Sequence, residues 1–350
     1  MPERILIRAT NWVGDAVMSV PALRAIREAI PSAHLTVLAR PWVADIYARE
    51  TSIDEVIPYH AARGVKDWAA KWRLAGQLRA MRFDCAILLQ NAFEAALLMR
   101  LAGIPRRIGY NRDGRGWLLT SAVAVPKLGE TPRHERFYYL ELLRRAGIIA
   151  ELPPCDAIRL DGASEAAAAG AEHCRARHIA LPAIGVSPGA AYGNAKRWIA
   201  EYFAESASRL AAEQQASVIL FGSGGERELC ETVAASIAAR GIAVHNLAGA
   251  TTLREFIELA AACRLFLTND SGGMHIASAL GVPTVAVFGA TDDRTTGPTG
   301  PLASVVREPV ECSPCLLREC PLDHRCMTRV PPERVVDAAL NLLKEPPIGY

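Results

Sequence analysis

The chain has 350 residues, 51% of them hydrophobic and 22% charged, with a formal net charge of +2. That length suggests two domains, each with enough apolar material for a core, and the composition excludes a disordered or low-complexity chain. Arg8, Asn11 and Asp15 interrupt any signal-peptide core in the first twenty residues, and no later stretch reaches membrane-spanning length without charge, so a soluble cytoplasmic protein is expected.

The pattern is a repeated strand, turn and helix. Arg4–Arg8 reads as a short strand, residues 9–15 as a polar loop containing Gly14, and residues 16–29 as a helix that ends before Pro31. Leu35–Leu38 and Val56–Pro58 read as strands, Trp68–Met81 as an amphipathic helix, and Cys85–Leu89 as a buried strand. The pattern breaks over residues 151–182, which carry Pro153, Pro154 and Pro182, and then restarts. Strands are expected at Ala183–Val186, Val218–Phe221, Ala243–Asn246, Leu265–Thr268 and Thr284–Phe288, with helices between them, and Pro332–Lys344 reads as a closing helix. Such alternation predicts an α/β chain of two Rossmann-like, doubly wound parallel-sheet domains with a ligand cleft between them. The expected division is 1–170, 171–331, and a final segment 332–350 that packs back on the N-terminal domain.

Charge is uneven. Residues 1–175 hold 24 Lys and Arg against 19 Asp and Glu, and the remainder 15 against 18. Residues 100–145 alone hold ten bases and four acids. A basic surface there suits a phosphorylated ligand or an anionic membrane face; a solvated face with helix C-terminal charges accounts for it equally simply.

Five segments can carry chemistry. Asn11-Trp12-Val13-Gly14-Asp15 follows the first strand and opens the first helix, the rim where open α/β sheets place ligands. Asp15 there is either a general base for a sugar hydroxyl or a helix cap. Ser187–Trp198 (SPGAAYGNAKRW) follows the first strand of the second half; its glycines permit close backbone approach, and Lys196 can neutralise a departing diphosphate. Thr268–Pro283 (TNDSGGMHIASALGVP) runs from an apolar strand through a Gly-rich turn into a helix. Amides of Ser271, Gly272 and Gly273 can bind diphosphate at that helix start, Asp270 can hold sugar hydroxyls, and His275 either donates to phosphate or is a satisfied, half-buried histidine. Phe221–Glu228 (FGSGGERE) repeats the strand–turn–helix pattern; Glu226 is placed for ribose hydroxyls or is an ordinary first-turn carboxylate. Finally, Cys312, Cys315, Cys320 and Cys326 fall within fifteen residues, either a tetrahedral zinc site or a packed loop of reduced thiols.

NWVGDAVMS, PGAAYGNAKRW, TNDSGGMH and CSPCLLRECPLDHRCM together, in order and spacing, resemble the lipopolysaccharide heptosyltransferases of glycosyltransferase family 9. The opening motif and the Cys cluster look like the branch that adds the second heptose; the branch adding the first, or acting on another acceptor, is the alternative. The resemblance implies a GT-B fold and an inverting transfer from ADP-heptose to a heptosyl-Kdo2-lipid A type acceptor, without a catalytic cofactor. It implies a monomer without nucleic-acid partners, peripheral on the cytoplasmic face of the inner membrane. It implies Asp15 as base and Lys196 as the phosphate-neutralising residue. Asn11, Gly14, Ala191, Tyr192, Glu226, Thr251, Asp270, Ser271, Gly272 and His275 are implied as substrate contacts. Ser271 stands where the family usually has Thr, and Ala191, Asn194 and Ile199 stand where Glu, Pro and Pro are common. A sugar-nucleotide epimerase, needing no acceptor, and a zinc-stabilised binding module, showing no turnover, are the rivals from other classes.

Overall fold

The computed structural model describes residues 3–60 and 67–344. The chain divides into two compact units between Cys155 and Asp156. The expected boundary at residue 170 is therefore corrected: the helix over Ala163–Ala176 belongs to the second unit.

The first unit runs β1 (Arg4–Arg8), α1 (Val13–Ala29), β2 (His34–Ala39), α2 (Pro41–Tyr47), β3 (Glu55–Pro58), α3 (Trp68–Ala80), β4 (Cys85–Leu88), α4 (Phe93–Leu101), β5 (Arg106–Tyr110), β6 (Ser121–Val123) and α5 (Glu135–Arg145). Its strands form one sheet in the order β3-β2-β1-β4-β5-β6, and every neighbouring pair is parallel. β1 is central, so Ile5, Leu6 and Ile7 are wholly buried on both faces, which is why the strand reads as an unbroken apolar run.

The second unit runs α6 (Ala163–Ala176), β7 (Ala183–Ser187), α7 (Ala200–Gln214), β8 (Ser217–Leu220), α8 (Arg227–Ala238), β9 (Val244–Asn246), α9 (Leu253–Ala261), β10 (Leu265–Asn269), α10 (Gly272–Ala279), β11 (Thr284–Phe288), α11 (Asp293–Thr296), β12 (Ala303–Arg307), α12 (Arg325–Thr328) and α13 (Pro332–Lys344). Its sheet is also wholly parallel, in the order β12-β11-β10-β7-β8-β9. Two successive doubly wound units of this kind are the GT-B fold class.

The closing helix belongs to the second unit. α13 buries Val335, Val336, Ala339 and Leu342 in the second unit's own core, against α7, β11 and β12. Burying each of the larger side chains contributes about 1.5–3 kcal/mol, so Val336→Asp would release the helix. Residues 345–350 of the expected tail lie outside the described residues. Among the described residues no helix is long and apolar enough to cross a membrane.

Candidate active site

Each sheet has one point where strand order reverses, and there the loops leaving two adjacent strands diverge to opposite faces and leave a crevice. In the first unit this point lies between β1 and β4. A cavity of about 420 Å³ sits at it, lined by Thr10, Asn11, Trp12 and Asp15 after β1 and by Leu89–Ala92 after β4. Asp15 is the third residue of α1, whose N-cap position is held by Trp12, so Asp15 is not the cap. Its carboxylate instead faces the cavity from a helix N-terminus, where the macrodipole favours its charge.

The floor of this cavity is cationic. Arg8 is only 2% exposed and donates to Asn11 Oδ1 at 3.0 Å, to Ala9 O and to the Tyr59 hydroxyl. The Arg8 and Arg40 guanidinium groups lie 4.9 and 4.5 Å from the Tyr59 ring centre, within cation–π range. Burial, reinforced by Arg40, pulls the Arg8 guanidinium below its ordinary pKa. With Asn11 Oδ1 occupied by Arg8, the amide N–H groups of Asn11 are left for a ligand. Arg115, fully buried, holds the opposite wall by donating to Gln90 O, to Asn91 Oδ1 at 2.8 Å and to Tyr110 O at 3.0 Å. Burial pulls its pKa down to about 10.

In the second unit the switch point lies between β7 and β10. There Lys196 Nζ donates to Asp270 Oδ2 at 2.6 Å, and Thr291 Oγ1 donates to the same oxygen at 2.7 Å. Asn269, fully buried, ties the two loops: its Oδ1 accepts from Trp198 N at 2.8 Å and its Nδ2 donates to Pro188 O at 2.8 Å. Ser271 caps α10 through its Oγ, which accepts from Met274 N, and leaves the amides of Gly272 and Gly273 at the helix start. His275 lies in the first turn and is 5% exposed, so it is buried rather than half-buried. Tyr192 stacks beneath Lys196, 4.9 Å from ring centre to Nζ, and Ala191 is exposed beside it.

Glu226 reaches this edge as well. Its Oε2 accepts from Ser223 N and Ser223 Oγ, both at 2.8 Å, closing a capping box. Its Oε1 lies where a side chain on Gly189 would begin: a Cβ there would stand 2.1 Å away. Thr251 directly precedes Thr252, the N-cap of α9, in a loop joined to the Gly222 turn by Gly249 N donating to Gly222 O at 2.9 Å. Lys196, Tyr192, Asp270, Ser271 and Gly272 thus share one crevice, and the Glu226 and Thr251 loops pair beside it.

The model for glycosyltransferase family 9 (heptosyltransferase) matches residues 71–325. The chain belongs to glycosyltransferase family 9. It is 32% identical over 351 residues to lipopolysaccharide heptosyltransferase 2 of Salmonella typhimurium, covering 98% of this chain and 99% of that one. It is 34% identical over 312 residues to lipopolysaccharide heptosyltransferase 2 of Escherichia coli, covering 87% and 88%. The solved structure of E. coli ADP-heptose LPS heptosyltransferase II superposes with a TM-score of 0.81 at 29% identity, over 97% of this chain and 98% of that one. The protein is therefore a glycosyltransferase.

Of the two readings of the Cys loop in this family 9 enzyme, the zinc site finds no support among the described residues. Cys312, Cys315, Cys320 and Cys326 line one cavity of only about 50 Å³. Among the described residues no three His, Cys, Asp or Glu side chains are disposed to hold a metal ion. The loop instead supports the Lys196 segment. Ala195 N donates to Arg318 O at 3.0 Å, Cys320 N to Asn194 Oδ1 at 3.2 Å, and Tyr192 OH to Leu316 O at 3.2 Å.

The basic stretch 100–145 is partly structural. Besides Arg115, Arg107 donates to Leu118 O, and Arg144 and Arg145 pair with Glu141. Sequence reasoning missed Arg8, Arg40, Tyr59, Asn91, Glu94, Glu135 and Tyr139, which line the first cavity. A usable signal did exist for Arg8: an arginine that follows the apolar run Ile5–Ile7 of a central strand is too expensive to bury without purpose.

Proposed function

We propose that this enzyme transfers L-glycero-D-manno-heptose from ADP-heptose to the first heptose of the lipopolysaccharide inner core, inverting the anomeric centre. One observation carries the reading: Asp15 lines a pocket at one switch point, while Lys196 stands beside a Gly-rich helix start at the other. The first arrangement suits an acceptor hydroxyl that must lose a proton; the second suits a diphosphate that must leave with negative charge. Asp15 takes the acceptor proton, the acceptor oxygen attacks the anomeric carbon, and the bond to ADP breaks with its electron pair on phosphate. Lys196 and the Gly272 and Gly273 amides neutralise that charge, Asp270 holds heptose hydroxyls, and Glu226 meets the ribose. No cofactor enters. The similarity to enzymes named heptosyltransferase 2 supports the choice of acceptor.

The test is ADP release from ADP-heptose with and without a heptosyl-Kdo2-lipid A type acceptor. Release that depends on acceptor is expected, and Asp15→Asn should lower it by about 10²–10⁴-fold. An Asp15→Asn protein that folds and turns over near-normally removes the assignment.

The same reading places the enzyme peripherally on the cytoplasmic face of the inner membrane. Of the six tryptophans, Trp12, Trp42, Trp68, Trp72 and Trp117 are exposed, and all five lie in the first unit. Indole rings partition to bilayer interfaces. Sedimentation with anionic vesicles should fall when Trp68 and Trp72 are both changed to Ala; unchanged sedimentation removes the membrane role of these rings.

A further inference from the structure

We propose that Glu135 is a positioning residue for the transfer: its carboxyl shares the pocket of Asp15 and sets how strong a base Asp15 is. The inference rests on the reading of Asp15 as the base.

The geometry comes from two helices that pack against each other, α1 and α5. Asp15 is in the first turn of α1 and Glu135 opens α5, after the N-cap His134. Both side chains line the same cavity of about 420 Å³, although 120 residues separate them in sequence. Two carboxyls lining one pocket influence each other's ionisation, and Asp15 acts on Glu135.

The groups around them define the sign. Glu94, on α4, is a third carboxyl lining the pocket. Arg8 and Arg40 line it from the β1 and β2 ends, and Arg112 acts on Glu135 from the turn after β5. Tyr59 and Tyr139 line the pocket too, and buried Tyr47 on α2 interacts with Asp15 and Arg8; Tyr139 is pushed above the ordinary phenol range by burial and then by Asp15 and Glu135. Burial first, and the charge of Asp15 second, push the Glu135 carboxyl up to about 7, with Arg112 opposing.

Coupling of this kind is reciprocal. While Glu135 is protonated, Asp15 is the only charge of the two. Once Glu135 ionises, its charge makes Asp15 hold a proton more tightly, which makes Asp15 a stronger base toward the acceptor hydroxyl. The proton balance of the transfer is unchanged: the hydroxyl proton goes to Asp15, the acceptor oxygen bonds the anomeric carbon, and the electron pair of the broken bond leaves on ADP. Glu135 neither gains nor loses a proton in that step.

The experiment is kcat from pH 5.5 to 9 for the full chain and for Glu135→Gln and Glu135→Asp, with Asp15→Asn as reference. The ratio of wild-type to Glu135→Gln rates should rise about 3–10-fold through neutral pH, as expected for a coupling of about one to two pK units, and Glu135→Asp should retain the step. A ratio that stays flat while Asp15→Asn has lost turnover overturns this inference and leaves the reading of Asp15 standing. Turnover that survives in Asp15→Asn overturns both. A carboxyl-carbon NMR titration of Glu135 reads the coupling directly. A midpoint near neutrality that falls in Asp15→Asn supports it, and one that Asp15→Asn does not move overturns it.

Discussion

The two switch points occupy equivalent places in equivalent sheets and are built in opposite ways. The first is a cavity walled by side chains from distant segments: Arg8, Tyr59, Asn91, Glu135 and Tyr139. The second is assembled from two contiguous loops, with Lys196 and Asp270 closed on each other in an ion pair. On the proposed function, the difference follows from what each would recognise. A diphosphate is held by backbone amides and one cation near a helix start, which a short Gly-rich loop supplies by itself. A sugar hydroxyl to be deprotonated needs a carboxylate whose surroundings are set from several directions, and these come from wherever the fold brings them.

The comparison is tested most severely by Lys196→Ala. If this lysine neutralises the leaving group, kcat should fall by about 10²–10³-fold while acceptor KM changes little. A loss confined to KM would mean that Lys196 only holds Asp270 in place. Next come two buried ties, one per unit. Asn269→Ala releases the loop at Pro188 and should raise the KM for the nucleotide sugar about tenfold, leaving acceptor KM alone. Arg115→Met strands the acceptors at Gln90, Asn91 and Tyr110, and should raise acceptor KM instead while costing the first unit about 2–4 kcal/mol. Steady-state kinetics with each substrate varied in turn checks both. If either variant moved both KM values equally, the division of labour between the units would be wrong.

The same contrast explains what was legible in the sequence. The strands of the second unit and the loops carrying Lys196, Asp270, Ser271 and Gly272 were readable because each is a contiguous run with its own periodicity or turn chemistry. Much of the first unit between residues 90 and 145 was not. β5 begins Arg106-Arg107, and Arg107 donates to both Leu118 O and Ile104 O, so the strand lacks an apolar run. β6 has three residues, too few for a pattern, and α5 mixes five charged residues into eleven. Glu135 was invisible as a site residue because nothing local distinguishes it from any first-turn glutamate; only the packing of α5 on α1 does. The Cys loop was open to two readings from its spacing, and the bonds that tie it to Asn194 and Ala195 could not be read from sequence.

Glu135 also gives the first pocket a thermodynamic signature. Its folded carboxyl titrates at about 7, against an ordinary value of 4.5. Between those values the folded chain keeps a proton that the unfolded chain has released, so stability falls as pH rises through the window. Below about pH 4.5 the penalty vanishes, and above about pH 7 it is complete, on the order of 2 kcal/mol once partial exposure is allowed for. Glu135→Gln removes the titration. It should unfold at a higher temperature than wild type at pH 8, with the two curves converging toward pH 4.5. A variant less stable than wild type at pH 8 would show that the ionised carboxyl is satisfied in the pocket.

The smallest expected effect belongs to the Cys loop. If it braces the Lys196 segment through backbone bonds and holds no metal, dialysis against a chelator should leave Tm within about 1 °C and kcat unchanged. The brace itself should be fragile at Gly193, where a Cβ would lie 2.1 Å from Arg318 O. Rigid backbone cannot yield there as a side-chain tip can, so Gly193→Ala should push the two loops apart and raise the KM for the nucleotide sugar. A large loss of Tm on chelation, with Gly193→Ala behaving as wild type, would reverse both conclusions and make the thiols rather than the backbone the working part of the loop.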